Sequence, residues 1–211
     1  MNKPVFKTLI STAVPLPIEN IDTDQIIPAR FLKATSREGF GKNLFVDWRY
    51  NEDGSLKAGF GLNTSRYSGS VLVTGKNFGC GSSREHAAWA LYDYGFRVII
   101  SSFFGDIFTS NSLNNGLLPV VVEPGYLSRL FHEISVNPGT LFSVDLKNQE
   151  LKVIPASSHA SPYTSLGLEK VRFDINLYKK TCLFNGFDDI DYVLNQMDHI
   201  KAYEERQQVN F

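Results

Sequence analysis

Cysteine is scarce in this chain: Cys80 and Cys182 are the only two in 211 residues, and no C-x-x-C motif exists. An iron–sulfur cluster is commonly held by four thiolates, so two cannot hold one. A disulfide is disfavoured in a cytosolic chain. Cys182 reads as core packing, and Cys80 as a small apolar filler with some sensitivity to oxidation. Charge of one sign is also missing. The 21 Lys and Arg nearly balance the 22 Asp and Glu, for a net charge of −1, and basic residues form no cluster beyond pairs. Nucleic acid is thereby excluded as a main partner. No apolar run approaches the length of a membrane span, so no membrane role is expected. The start, Met1-Asn2-Lys3-Pro4, lacks the charged-then-apolar form of a secretion signal, and a cytoplasmic protein is the default. His132, His159 and His199 lie far apart without metal-ligand spacing and read as surface residues; no metal site is expected. What the chain does have is 43% hydrophobic residues, enough for a sizeable core in one domain spanning 1–211.

From Val71 onward, short apolar runs alternate with helical spacing. Runs at 71–74, 96–100 and 118–122 read as strands, and 106–115 and 126–134 as helices. This βαβα order marks an α/β fold with a mostly parallel sheet and right-handed crossovers. After Pro138-Gly139 the pattern changes. Segments 141–146 and 150–154, joined by Lys147-Asn148-Gln149, predict an added antiparallel hairpin, and 171–175 a further strand. The Ser- and Pro-rich stretch 155–167 predicts a surface loop, and 188–207 a charged amphipathic helix with a solvated face. Stretch 39–63 is long, polar and aromatic; Phe45, Trp48, Tyr50 and Phe60 interleave with Asn51-Glu52-Asp53-Gly54. Loops of this length are seldom idle. Its aromatics form either a satellite core or a docking surface for a partner chain.

The most informative segment follows the first of those strands: Asn77-Phe78-Gly79-Cys80-Gly81-Ser82-Ser83-Arg84-Glu85-His86-Ala87. It reads as a glycine loop between a strand and a helix. Gly79 and Gly81 permit positive φ and close backbone approach. Ser82 and Glu85 have capping-box spacing, which predicts a helix start at Ser82 or Ser83. A helix N-terminus favours a bound anion. Arg84 in the first turn opposes that dipole, a conflict that a substrate carboxylate gripped by the guanidinium would resolve. His86 is read as bonding within the loop. The dinucleotide fingerprint fails because Arg84 stands at its third glycine; the P-loop fails for want of a lysine before either serine. The nucleophile elbow G-x-S-x-G is also absent.

What remains resembles the Gly-Ser-Ser-Arg-Glu-His signature of the aconitase superfamily's swivelling domain. In its extended form the segment resembles the small subunits of isopropylmalate dehydratases. A second segment, Asn20-Ile21-Asp22-Thr23-Asp24-Gln25-Ile26-Ile27-Pro28-Ala29, resembles their Asp-Thr-Asp-x-Ile-x-Pro motif. Read physically it is an Asx-turn, with Asp24 placed to bond neighbouring backbone or to hold Arg84. Further matches at Asp93-Tyr94-Gly95-Phe96, Asp106-Ile107-Phe108, 114–119 and Ala202-Tyr203-Glu204 extend the resemblance over nearly the whole chain. Two departures, Ala88 for a proline and Phe103-Phe104-Gly105 for a Ser-Phe-Ala run, read as remote from the site.

The resemblance implies a three-layer β/β/α swivelling domain and a hydro-lyase of leucine biosynthesis. Such an enzyme interconverts 2-isopropylmalate and 3-isopropylmalate through 2-isopropylmaleate. It implies a small dicarboxylate hydroxy acid as substrate, a large subunit as heterodimer partner, and a [4Fe-4S] cluster on that partner, with no cofactor bound by this chain. It assigns the proton-abstracting base to Ser82, and substrate binding to Ser83, Arg84, Thr23 and Asp24. Phe31 and Leu32 form the specificity loop: an apolar pair suits an isopropyl group, whereas Lys33 and Arg37 nearby would suit a carboxylate arm. The apolar pair favours isopropylmalate over citrate. Two other readings stay open: the small subunit of a sister hydro-lyase, homoaconitase-like or acting on a methyl-substituted maleate, and a non-catalytic anion-binding module. An intact Ser82 argues against the module, since a binder needs Arg84 but not the serine.

Overall fold

β3 (Val71–Thr74), β4 (Val98–Ser101) and β5 (Leu118–Val121) are short runs rich in β-branched residues, and β2 (Ala13–Leu16) joins them in a parallel sheet ordered β2-β3-β4-β5. The computed structural model in which they are seen describes residues 4–154 and 170–208. The Ser- and Pro-rich stretch 155–167 and His159 lie outside the described residues. Side-chain alternation sorts the sheet's two faces. Val71, Val73, Val98, Ile100, Leu118 and Val120 enter one core; Val14, Leu16, Leu72 and Ile99 enter the other. β3 and β4 are buried along their whole length, which is why they are apolar runs up to a closing Thr74 and Ser101 rather than alternating, whereas β5 leaves Val121 exposed. Pro15 and Pro119 sit in β2 and β5, the two edge strands, where a missing N–H leaves no gap in a central ladder.

The crossovers α3 (Glu85–Tyr94) and α4 (Asp106–Asn114) pack against the second of those cores through Ala87, Ala88, Leu91 and Phe108. On the opposite face lie α5 (Pro124–Val136), contributing Tyr126, Leu127, Leu130 and Ile134, and a second sheet, contributing Phe142, Val144, Leu151 and Val153. That sheet is antiparallel, ordered β1-β6-β7-β8, with β1 (Thr8–Ser11), β6 (Leu141–Asp145), β7 (Glu150–Ile154) and β8 (Val171–Arg172). The expected hairpin is therefore the centre of a four-stranded sheet. Sheet, sheet and helix make three layers.

The single helix predicted over 188–207 is two: α7 (Asp189–Leu194) and α8 (Met197–Gln208). Asp188 caps α7, accepting from the N–H groups of Ile190 and Asp191 at 2.9 and 2.8 Å. Asn195 ends it, a residue whose side chain favours caps over helix interiors. α6 (Leu177–Asn185) precedes them, started by Asn176 and stopped by Gly186 at φ 71°. Stretch 39–63 is not one open loop. It holds 3₁₀ turns at Phe40–Asn43 and Gly61–Asn63 around α2 (Val46–Arg49). Phe45, fully buried, stacks on Trp48 with centroids 5.6 Å apart and meets the edge of Phe60 at 6.1 Å. Phe45, Trp48 and Phe60 belong to the second main core itself rather than to a separate satellite core.

Candidate active site

Three loops leave the carboxyl ends of β2, β3 and β4, the end at which open α/β sheets bind ligands. Backbone hydrogen bonds join them side by side. Asn20 N–H donates to Lys76 O at 2.8 Å, Gly79 N–H to Ile21 O at 2.7 Å, and Thr23 N–H to Cys80 O at 3.0 Å. On the other flank Asn77 and Phe78 donate to Phe103 O at 3.0 and 3.2 Å, and Gly105 to Phe78 O at 3.0 Å. Such close approach needs glycine. Gly79 has φ 72°, and a Cβ there would stand 2.2 Å from Phe108 Cγ. Gly105 lacks a positive φ, but a Cβ on it would lie 2.5 Å from Gly79 O. The Phe103-Phe104-Gly105 departure thus abuts the serine loop, correcting the reading of it as remote.

The loop between β2 and β3 opens with α1 (Thr23–Ile26), not a bare Asx-turn. Asp22 accepts from Gln25 N–H at 2.8 Å, and Gln25 Oε1 accepts from Asp22 N–H at 2.8 Å. This capping box was legible as Asp-x-x-Gln. The box expected from Ser82 and Glu85 does not form. α3 begins at Glu85 with Arg84 in the capping position, extended at φ −135°, and no side-chain cap. Gly81 at φ 87° and a 2.8 Å bond from Thr23 Oγ1 to Ser82 O hold 80–83 as loop. Glu85, the would-be box partner, instead accepts from Asn115 Nδ2 at 3.0 Å and faces Arg37 at 3.5 Å. Arg84 therefore stands outside the helical turn, and the conflict with the dipole is smaller than the sequence implied.

The structure brings Thr23, Asp24, Ser82, Ser83 and Arg84 into one place. Arg84 Nη1 pairs with Asp24 Oδ1. The Arg84 side chain is 13% exposed and that of Asp24 53%, so an almost buried guanidinium is anchored at its outer edge by a half-open carboxylate. Ser82 and Ser83 are exposed immediately before it. A rigid cation with five donors beside two open hydroxyls can bind a planar carboxylate and leave a hydroxyl facing the adjacent carbon.

Phe31 ends a 3₁₀ turn, Ala29–Phe31, and Leu32 closes it; both are half-buried, Phe31 against the second core with Arg30 4.9 Å over its ring. Arg37 is drawn to Glu85 and lies 4.8 Å over the Trp89 ring. Sequence reasoning missed the link from this segment to the serine loop. His86 does not bond within its own loop, as expected, but reaches Ala34 O through Nε2 at 3.2 Å. Nothing in the spacing of the two segments announces that contact.

The aconitase C-terminal domain family matches residues 3–125. The chain is 58% identical over 199 residues to the 3-isopropylmalate dehydratase small subunit of Cytophaga hutchinsonii, covering 94% of each chain. It is 52% identical over 201 residues to that of Christiangramia forsetii, covering 95% of this chain and 93% of the relative. The chain belongs to the family of 3-isopropylmalate dehydratase small subunits. A crystal structure of 3-isopropylmalate dehydratase from Methanocaldococcus jannaschii shares the α/β fold, with a TM-score of 0.58 at 23% identity over 93% of this chain and 99% of that one.

For a member of this small-subunit family, the donor set decides what the chain can hold. Among the described residues no three His, Cys, Asp or Glu side chains gather as a metal site. Cys80 and Cys182 are not joined in a disulfide, and Cys182 is buried. These residues do not fit an iron–sulfur cluster. No helix among the described residues is long and apolar enough to cross a membrane.

Proposed function

We propose that this chain acts as a single swivelling domain in the cytoplasm and completes the active site of a large subunit. Together they interconvert 2- and 3-isopropylmalate by loss and return of water, in leucine biosynthesis. The observation that carries the reading is the nearly buried Arg84, paired with Asp24 directly after two exposed serines. Ser82 is the base that takes the carbon-bound proton beside a carboxylate. Arg84 and Ser83 hold that carboxylate; Asp24 fixes Arg84, and Thr23 fixes the Ser82 carbonyl. A serine alkoxide is far too basic to stand free at neutral pH, so it needs the cation and nearby N–H groups as an oxyanion does, an effect of about 3–4 kcal/mol per good donor. A [4Fe-4S] cluster on the large subunit supplies the Lewis acid for the leaving hydroxyl.

Phe31 and Leu32 receive the variable arm of the substrate. The apolar Phe31–Leu32 pair supports isopropylmalate over citrate; Arg37 faces Glu85 at 3.5 Å and lies over the Trp89 ring, an open pairing that does not by itself withhold it from a carboxylate. Anaerobic mixing of the purified chain with its large subunit tests the reading. Isopropylmaleate should form, followed by its ultraviolet absorbance, only when both chains are present. Turnover by the small chain alone would overturn the two-subunit reading; a mixture acting on citrate but not isopropylmalate would overturn the substrate.

A further inference from the structure

His86 sits in the first turn of α3, two residues past Arg84. Its ring is packed between Trp89, with centroids 4.4 Å apart, and Phe40, at 5.8 Å. Its Nε2 lies 3.2 Å from Ala34 O. A carbonyl oxygen can only accept, so Nε2 is the donor, and the ring packing fixes the direction in which it points. The accepting segment is itself tight: Ala34 N–H donates to Phe31 O at 3.1 Å and Leu32 N–H to Ala29 O at 3.1 Å. Where Ala34 is held, Phe31 and Leu32 are held with it. Bonds on either side of the turn also join this part of the chain to the serine loop and α3: Thr23 to Ser82 and Asp24 to Arg84 before it, and Gly41 N–H to Asp93 at 2.7 Å after it, but of these side chains it is His86 that bonds the 31–34 turn itself. Arg37 lies over the Trp89 ring at 4.8 Å, and its pair with Glu85 is 3.5 Å long with side chains 60% and 45% exposed. An open pair of that kind contributes little to position.

We propose that His86 is the positioning residue for substrate selection: its Nε2–H holds the 31–34 turn in fixed register with the loop bearing Ser82 and Arg84. The proposal rests on the isopropylmalate reading of this site, and deepens it. The chemistry residues and the arm-recognising residues come from segments far apart in sequence. A hydrogen bond from the helix that starts at the serine loop sets their relative place.

Two variants separate the hydrogen bond from the ring. His86→Phe keeps the packing against Trp89 and Phe40 and removes the donor; His86→Gln keeps a donor and removes the ring. Hydrogen exchange over 29–38 is read on the isolated chain. The ratio of kcat/KM for 3-isopropylmalate to that for 3-methylmalate, a substrate with a smaller arm, is read with the large subunit. In His86→Phe, exchange in 29–38 should quicken and the ratio fall about fivefold, the size of one net hydrogen bond. His86→Gln should stay near wild type in both. Wild-type exchange and ratio in His86→Phe overturn the proposal, as does loss of both in His86→Gln. Failure of the wild-type pair to use isopropylmalate would instead strike the functional reading, and the exchange result would still decide whether the turn is held by His86.

Discussion

The hairpin of β6 and β7 is closed by Asp145 meeting Asn148, three residues on, whereas the rim of the parallel sheet is closed by Thr23 meeting Ser82 across 59 residues. The hairpin forms its turn from its own sequence. The rim exists only once β2, β3 and β4 have aligned, and it must repay the entropy of closing the long excursion between β2 and β3. Chemistry sits in the second kind of region. A constellation drawn from separate loops brings together groups that no single turn could, and it leaves Ser82 and Ser83 open while burying most of Arg84. A change at the rim should therefore damage catalysis or the alignment of loops, and a change in the hairpin only local stability.

The largest effect expected of that contrast is on rate. Ser82→Ala removes the proposed base and nothing that packs. With the large subunit, kcat should fall by at least about 10³-fold with KM little changed, as for other positioned acid–base and oxyanion groups. The denaturation midpoint should not move. Near-normal kcat would place the base elsewhere.

Next comes the rim's architecture. Gly79→Ala puts a methyl 2.2 Å from Phe108 Cγ at φ 72°. Overpacking of about 1–3 kcal/mol, added to backbone strain of roughly 1 kcal/mol, should appear as lost stability in denaturant. Gly54→Ala is the control, since φ is 80° but nothing lies within 4 Å of the added Cβ. It should show the strain alone. Equal losses in the two would mean that the fit of Gly79 against Phe108 does not matter.

Arg84→Lys keeps the charge and discards the planar fork. If Arg84 clamps a carboxylate while paired to Asp24, kcat/KM should drop by about 10²-fold, the scale of losing a charge-assisted bond geometry. Co-purification with the large subunit should survive. A lysine enzyme with wild-type kinetics would make Arg84 a structural residue only.

The same contrast governs what the sequence could disclose. The strands at 71–74, 141–145 and 150–154 were legible because burial there follows local alternation or a continuous apolar run. β1 and β2 were not: β1 is polar at both ends and leaves Ile10 exposed, and β2 is broken in pattern by Pro15. At the rim, the family resemblance pointed to Ser82, Ser83, Arg84, Thr23 and Asp24, while the capping-box spacing of Ser82 and Glu85 misplaced the start of α3. The local capping rule competed with a bond from Thr23 that sequence does not display. His86 was assigned to its own loop for the same reason: its acceptor, Ala34, is 52 residues away. Local rules predict well where partners are local.

The smallest expected effect lies in the hairpin and checks the other half of the comparison. Asp145 accepts from Asn148 N–H at 3.0 Å and from Asn148 Nδ2 at 2.9 Å. The Asn148 N–H, and secondarily its side chain, hold the carboxyl below its ordinary value. A folded-state pKa below the unfolded one contributes stability above the unfolded pKa, about 3.9, and loses it as pH falls through the folded value. Asp145→Ala should therefore lower stability at neutral pH by about 1 kcal/mol, the worth of one or two net hydrogen bonds. The difference from wild type should shrink in acid, as the native carboxyl is protonated. Activity with the large subunit should stay within about twofold, because no bond links this turn to the serine loop. A stability gap unchanged between neutral and acid denaturation curves would show that the carboxylate does not hold the turn. A large loss of activity would show that hairpin and rim are coupled after all.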